Sequence, residues 1–538
     1  VRSREPNRQQ FNQRKPDRVL TVAQSTFIVA AALTLSKITG FVREILIAPV
    51  LGYGINTDAY FIGFQIPDLV YQLMIGGAIG AALTPFMSSA LEKGQERRVW
   101  RSVSIFINVF LLATAIAILI GIVFAPGIIS SYNADKDPEV VARAIKVSRS
   151  LFPQIFFLMA AGFLSGILHA YRLFQRSAFG PTIYNLACIV LIVLWGNTSA
   201  DGPARAAAGI VVAAIINFVF MIFMTRDKLV FYRPTISMKD KGFRRLWHLA
   251  LPTLISGSVV QLNYIIQTSF ANQFTGAVTA LQHGTTTWMA PYGIFGVAVS
   301  NVMTPTLSRA FARKDYKSMR GIFTQSLRRA TFLVTPFAVA FAAMAEETIE
   351  AIYQWNNAIP YDRLLIEADV LRIYCLAMIV QTVVLMYNNA FYSRQTTRIA
   401  LLTSILSLVF TPLLSTLFTK VLDFGIYGLP LAYVVNSIGL MLILHFLYRH
   451  HIPQARPYRL FPYFFRLLLL ALPTALVYLG LNTLPINISS KPLQLVYYAI
   501  KLVIGLLVYY LAGLAINLHE AKDMQRVIRR VLRLKAVK

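Results

Sequence analysis

Apolar runs near 20 residues, long enough to cross a hydrocarbon core of about 30 Å, recur from end to end of this sequence. Inside lipid every backbone N–H and C=O must be satisfied within the protein, and a helix does this segment by segment. Only 14% of the 538 residues are charged, against about 25% in a soluble domain. The chain reads as an all-α polytopic membrane protein. Fourteen spans are expected, at 24–50, 57–90, 101–125, 147–171, 178–197, 204–225, 246–272, 277–309, 321–345, 364–392, 397–419, 425–448, 460–484 and 494–517. Several are long enough to require tilt or bending. Pro67 and Pro291 lie inside the second and eighth, where each removes a backbone hydrogen bond and can kink the helix.

The formal net charge of +28 could suggest a nucleic-acid partner, but its distribution argues against one. Lys and Arg gather in alternate loops: Lys93–Arg101, Arg172–Arg176, Arg226–Arg245, Arg309–Arg320, Arg394–Arg398, Arg449–Arg459 and the tail from Lys522. That is the positive-inside pattern, and it places both ends in the cytoplasm. Residues 1–20 are polar and basic, read as a disordered tail, and show no apolar core of a cleavable signal. Residues 521–538 form a basic amphipathic segment suited to the anionic inner leaflet.

An internal repeat of about 220 residues is visible. "LTPFMSSALEKG" at 83–94 echoes "MTPTLSRAFARKD" at 303–315, and "GILHAYRLFQR" at 166–176 echoes "NNAFYSRQTTR" at 388–398. Six spans separate the copies, so the halves run parallel. The expected organisation is an N-lobe at 21–230, a C-lobe at 231–450 and two further spans within 451–520.

Lys37, Arg43, Glu44, Asp58 and Asp68 sit in the first two apolar runs. One charge at a bilayer centre costs roughly 2.5–3.5 kcal/mol on insertion scales, so the group points to a polar cavity or pathway. Asp58, Gln65 and Gln72 are seven apart and share a helix face, with Asp68 on the same side and Gly76 and Gly80 continuing the stripe. Snorkelling of Arg43 and Glu44, or amide packing between helices, is the plainer reading of some of these. The seventh and eighth spans offer Gln261, Asn263, Gln282, His283 and Thr286, polar but almost uncharged. An anionic group should therefore dock on Lys37 and Arg43, the arginine supplying a bidentate fork. Cys188 and Cys375 lie in apolar runs as small core residues. No metal-ligand cluster, redox motif or phosphate-binding GxxxxGK[ST] loop occurs, and no cofactor is expected.

The sequence resembles the MviN/MurJ-type lipid II flippases of the multidrug/oligosaccharidyl-lipid/polysaccharide exporter superfamily. The carrying segments are "LSKITGFVREILIAPVLGYGINTDAYFIGFQIPDL" (35–69), "FPQIFFLMAAGFLSGILHAYRLFQRSAFGPTIYN" (152–185), "PYGIFGVAVSNVMTPTLS" (291–308) and "FYSRQTTR" (391–398). The resemblance implies fourteen helices, two lobes in a V, a cationic central cavity, and a lipid-tail groove beside the last two helices. It implies transport of undecaprenyl-pyrophosphate-linked peptidoglycan precursor to the outer leaflet. The partners implied are that lipid-linked pyrophosphate glycan, anionic lipids and cell-wall synthesis proteins. Arg43 and Asp58 match family positions. Lys37 stands where arginine is usual. Tyr71, Gln72, Gly76, Thr286 and Met289 stand where charge is common. A flippase for another lipid-linked polysaccharide, a cation-coupled drug antiporter and a non-transporting scaffold remain the alternatives.

Overall fold

The computed structural model describes residues 22–536 except 76–82, 135, 258, 272, 275, 356–358, 395, 459 and 484–489. The tail at 1–20 and the glycines Gly76 and Gly80 lie outside the described residues. Every expected span is met by helix. In the first half these are α1 (Val22–Leu51), α2 (Ile55–Ile75), α3 (Thr84–Glu92), α4 (Glu96–Tyr132), α5 (Pro138–Ala170), α6 (Phe174–Ala178), α7 (Gly180–Trp195) and α8 (Gly202–Leu229). The seventh span holds α9 (Lys241–Gly257) and α10 (Val259–Ala271), and the eighth is divided into α11 (Ala277–Pro291) and α12 (Val297–Ala312). Then follow α13 (Tyr316–Ala343), α14 (Ala345–Tyr353), α15 (Tyr361–Ser393), α16 (Thr397–Thr416) and α17 (Gly428–His451). The chain closes with α18 (Leu460–Asn482), α19 (Lys491–Ala515) and α20 (His519–Ala536).

Among the described residues, nine helices are both long and apolar enough to cross a membrane, or ten if α13 and α14, bent by 90°, make one span. Between the two halves, α4 packs on α9, α2 meets α9, α10 and α11, and α1 meets α11 and α14.

Pro67 is accommodated inside a continuous α2. At Pro291 the helix widens into a π turn, Tyr292–Gly296, before α12 resumes. Proline lacks the N–H that the α ladder needs, and a π turn re-spaces the bonds around the gap.

Four apolar cores organise the bundle, and the largest joins both halves through Ile62, Leu151, Phe152, Leu281, Tyr353 and Tyr374. Trp100, Phe106, Phe110 and Phe163 anchor the first half, and Phe243 and Leu246 of α9 join them. The chain is held there because Asp240, just before α9, accepts from Ser102 Oγ at 2.7 Å and from the Phe243 amide at 2.8 Å. Phe323, Tyr387, Phe391 and Tyr448 fill the second half. Phe332, Tyr463, Leu467 and Tyr509 bind α18 and α19 to α13, with Leu518 and Ala521 at the start of α20. Lys501 of α19 is 2% exposed, its Nζ 2.6 Å from Glu347 Oε1 on α14. Both cysteines are buried free thiols.

Candidate functional site

The residues expected to line one cleft fall into three groups. The first surrounds Arg43. Its Nη2 lies 2.5 Å from Glu44 Oε1, and its Nη1 donates to Asn185 Oδ1 at 3.3 Å. Asn185 is itself fixed by donating to the Ser36 carbonyl at 3.1 Å. Arg43 and Asp68 share a cavity of about 360 Å³ with Tyr71, Gln154, Tyr184 and Asn217. This cavity lies among α1, α2, α5, α7 and α8, within the first half. Two of the sequence-selected charges, Arg43 and Asp68, converge on it, and one cation there can meet an anion. Lys37 is exposed on α1 and makes no ion pair among the described residues. Gln65 is 2% exposed, and neither of its amide atoms has a partner among the described residues. Gln72 is half-buried. A seven-residue spacing puts these side chains near one face, but the packing of α2 against α5 buries Gln65 while leaving Gln72 partly open.

The second group is a contact between halves. Asp58 is 2% exposed. Its Oδ1 accepts from Thr279 Oγ1 at 2.5 Å and from the Thr279 amide at 3.2 Å. Its Oδ2 accepts from the Gly276 amide at 3.2 Å and pairs with Lys136 Nζ at 3.1 Å. The acceptor thus occupies the start of α11, where free amides and the helix dipole favour an anion. The carboxylate is saturated by protein donors in this conformation, so Asp58 holds the halves together rather than facing an open cleft.

The third group is centred in the second half, and Tyr53 and Phe61 of the first half reach it. His283 Nδ1 lies 2.9 Å from Glu367 Oε2, with the side chains 1% and 0% exposed. The imidazole stacks on Tyr353 at 3.9 Å between centroids, and Phe61 of α2 meets it edge-on. Gln282 Nε2 donates to Thr286 Oγ1 at 3.4 Å. Asn263 Nδ2 donates to Ser407 Oγ at 3.2 Å, toward α16 rather than toward Arg43. The side chain of Gln261 lies outside the described residues.

Lys136, Glu367, Gln154 and Asn217 were not singled out from sequence. Glu367 was the detectable one, since it is an acid inside an apolar run, as Asp58 is. Lys136 sits in a mixed-charge outer loop, where nothing in the sequence marks it as buried. No group of His, Cys, Asp and Glu among the described residues could hold a metal ion.

Comparison with known proteins adds to this geometry. The sequence profile described as lipid II flippase MurJ matches residues 47–497. A probable lipid II flippase MurJ of Rhizobium tropici is 27% identical over 385 residues, covering 69% of this chain and 71% of that protein. The lipid II flippase MurJ of Burkholderia cenocepacia is 24% identical over 425 residues, covering 78% and 82%. Among solved structures, a lipid II flippase MurJ in an inward closed conformation superposes with a TM-score of 0.74 at 21% identity, covering 90% of this chain and 98% of that one. An inward-facing multidrug MATE transporter superposes at 0.62 and 14% identity, covering 79% and 94%.

Proposed function

The chain belongs to the lipid II flippase MurJ family, and from that premise we propose that it carries an undecaprenyl-pyrophosphate-linked peptidoglycan precursor from the inner to the outer leaflet by alternating access. The observation that carries the reading is the pairing of a sealed end with an arginine-bearing polar cavity. Asp58 joins α2 to α11, and behind it Arg43 faces a polar cavity. A pyrophosphate needs a fork of donors away from bulk water, and Arg43 supplies one in a low-dielectric setting. Glu44 holds that guanidinium in the absence of an anion. An arriving pyrophosphate displaces the carboxylate, so the cavity is never left with a bare buried cation.

In this reading the protein sits in the bacterial cytoplasmic membrane with both termini inside, as the alternating basic loops support. The substrate is a lipid-linked pyrophosphate glycan. Its polyprenyl tail runs along the outer faces of α18 and α19, where Leu468, Leu472, Leu507 and Leu511 are exposed. The basic helix α20 meets anionic lipid headgroups, and cell-wall synthesis proteins are the partners expected to consume the product. The deciding test is complementation of a bacterium depleted of its own lipid II flippase. Growth restored by the wild-type chain and not by Arg43→Ala, at equal membrane levels, supports the reading. Failure of the wild-type chain would turn the substrate toward another lipid-linked glycan.

A further inference from the structure

The interior of this protein is poor in free positive charge. Arg43 is paired with Glu44, and Lys136 with Asp58. Unneutralised cations gather elsewhere, on the face assigned to the cytoplasm. A cavity of about 840 Å³ opens between the α3–α4 turn and the start of α9, and Lys93, Arg98, Arg101, Lys239, Lys241 and Arg245 line it.

Four carboxylates are near in sequence, and three of them are directed away. Residues 84–101 and 226–249 contain Glu92, Glu96, Asp227 and Asp240. Glu92 pairs with Arg172 at 2.9 Å, Glu96 accepts from Tyr171 Oη, and Asp227 pairs with Arg176 at 2.8 Å. Asp240 does line the cavity; Ser102 and the Phe243 amide occupy its Oδ1, and Arg101 is close enough to interact with its charge, which leaves the cations in large excess. Among the described residues, none of the six cations is ion-paired. Their mutual repulsion is sustained by a rigid frame. A Cβ on Gly242 would sit 2.2 Å from Ser102 Oγ, so α9 is pressed directly onto α4. The opposite wall is apolar, with Pro85, Phe86 and the exposed Leu249.

Six cations beside an apolar wall, at the joint between the halves, match a phosphorylated headgroup still attached to its lipid. We propose that this cavity is a loading site that takes the pyrophosphate of the lipid-linked substrate from the inner leaflet before it reaches Arg43. The identity of the headgroup rests on the flippase reading; the site itself rests on the charge and shape just described. Arginine forks give the pyrophosphate directed hydrogen bonds, and the lysines add point charge.

The probe is undecaprenyl pyrophosphate, titrated against the full chain in nanodiscs of zwitterionic lipid. Replacing the six cations with Gln should weaken binding roughly tenfold or more, and the wild-type affinity should fall as salt screens the site. Exposed charge-to-amide changes leave the fold intact, which circular dichroism verifies. The control replaces Arg313, Lys314, Lys317 and Arg320, the basic turn in the other half, and should leave binding unchanged. Equal loss in the control would reduce the effect to general surface charge and overturn the proposal. Displacement of the probe by phosphatidylglycerol at equal concentration would also overturn it, since the site would then be one for bulk anionic lipid. Flipping by a six-Gln variant that binds the probe normally defeats the loading site alone. A wild-type chain that neither binds nor flips defeats the flippase reading with it.

Discussion

Asp58 on α2 caps the helix that carries Thr279, taking both the hydroxyl and the amide of that residue on one oxygen. This joins the two halves at the end of the molecule assigned to the outside. Asp58→Ala removes the acceptor and leaves Lys136 buried without a counter-charge. Breaking such a buried pair costs about 3–5 kcal/mol. Thermal unfolding in detergent should show the loss. A cysteine replacing Ala280, 1% exposed in the parent, should become reactive to an impermeant maleimide added outside. Unchanged protection in the Asp58→Ala background would mean that the contact is not the gate.

Arg43 and Glu44 should respond in opposite directions. Arg43→Ala should abolish transport, and Arg43→Lys should impair it, since the fork is lost while the charge stays. Glu44→Gln frees the guanidinium. It should tighten pyrophosphate binding and slow release, lowering turnover at saturating substrate. Equilibrium binding and single-turnover flipping in proteoliposomes separate the two effects. Weaker binding in Glu44→Gln would assign the carboxylate a direct role in holding the substrate.

The His283–Glu367 pair gives a stability prediction. Glu367→Ala leaves a buried imidazole without its hydrogen-bond partner, at a cost of about 1–3 kcal/mol. The double variant His283→Phe with Glu367→Leu removes both polar groups and should recover much of that loss. A four-member thermal-unfolding cycle in detergent checks the coupling. Additive losses would show that the two side chains do not depend on each other.

Helix packing can be tested at glycine. A Cβ on Gly63 of α2 would lie 2.6 Å from the Ala144 carbonyl oxygen of α5. Backbone cannot step aside as a flexible side chain can, so Gly63→Ala should destabilise by about 1–3 kcal/mol. Gly127 of α4 has nothing within 4 Å of its would-be Cβ, and Gly127→Ala should be neutral or slightly stabilising. Comparing the two melting midpoints decides whether α2 and α5 meet this closely.

The all-helical membrane fold was legible because hydropathy acts residue by residue and needs no tertiary information. The site was legible only in part. Arg43 and Asp68 were found as charges in apolar runs, and the structure brings them to one cavity. Asp58 was found the same way, yet its partner Lys136 comes from a loop 78 residues later, and no periodicity encodes that meeting. Gln65 and Gln72 share a heptad spacing but differ in burial, since spacing fixes direction from the helix axis and not what packs there. His283 and Glu367 are 84 residues apart. Each was visible alone as a polar residue in a span, while their union depends on how α11 meets α15.

The lysine buried in α19 bears on how the chain is made. An apolar segment of 25 residues that carries an unpaired ammonium is a poor substrate for the insertion machinery, by roughly 2.5–3.5 kcal/mol. The counter-charge, Glu347, is translated 154 residues earlier. By the time Lys501 leaves the ribosome, α14 is already in place to receive it. α19 is thereby admitted as the mate of a finished bundle rather than as an independent anchor. Docking of α19 thus depends on the bundle before it, since a second half that fails to present Glu347 offers Lys501 no carboxylate.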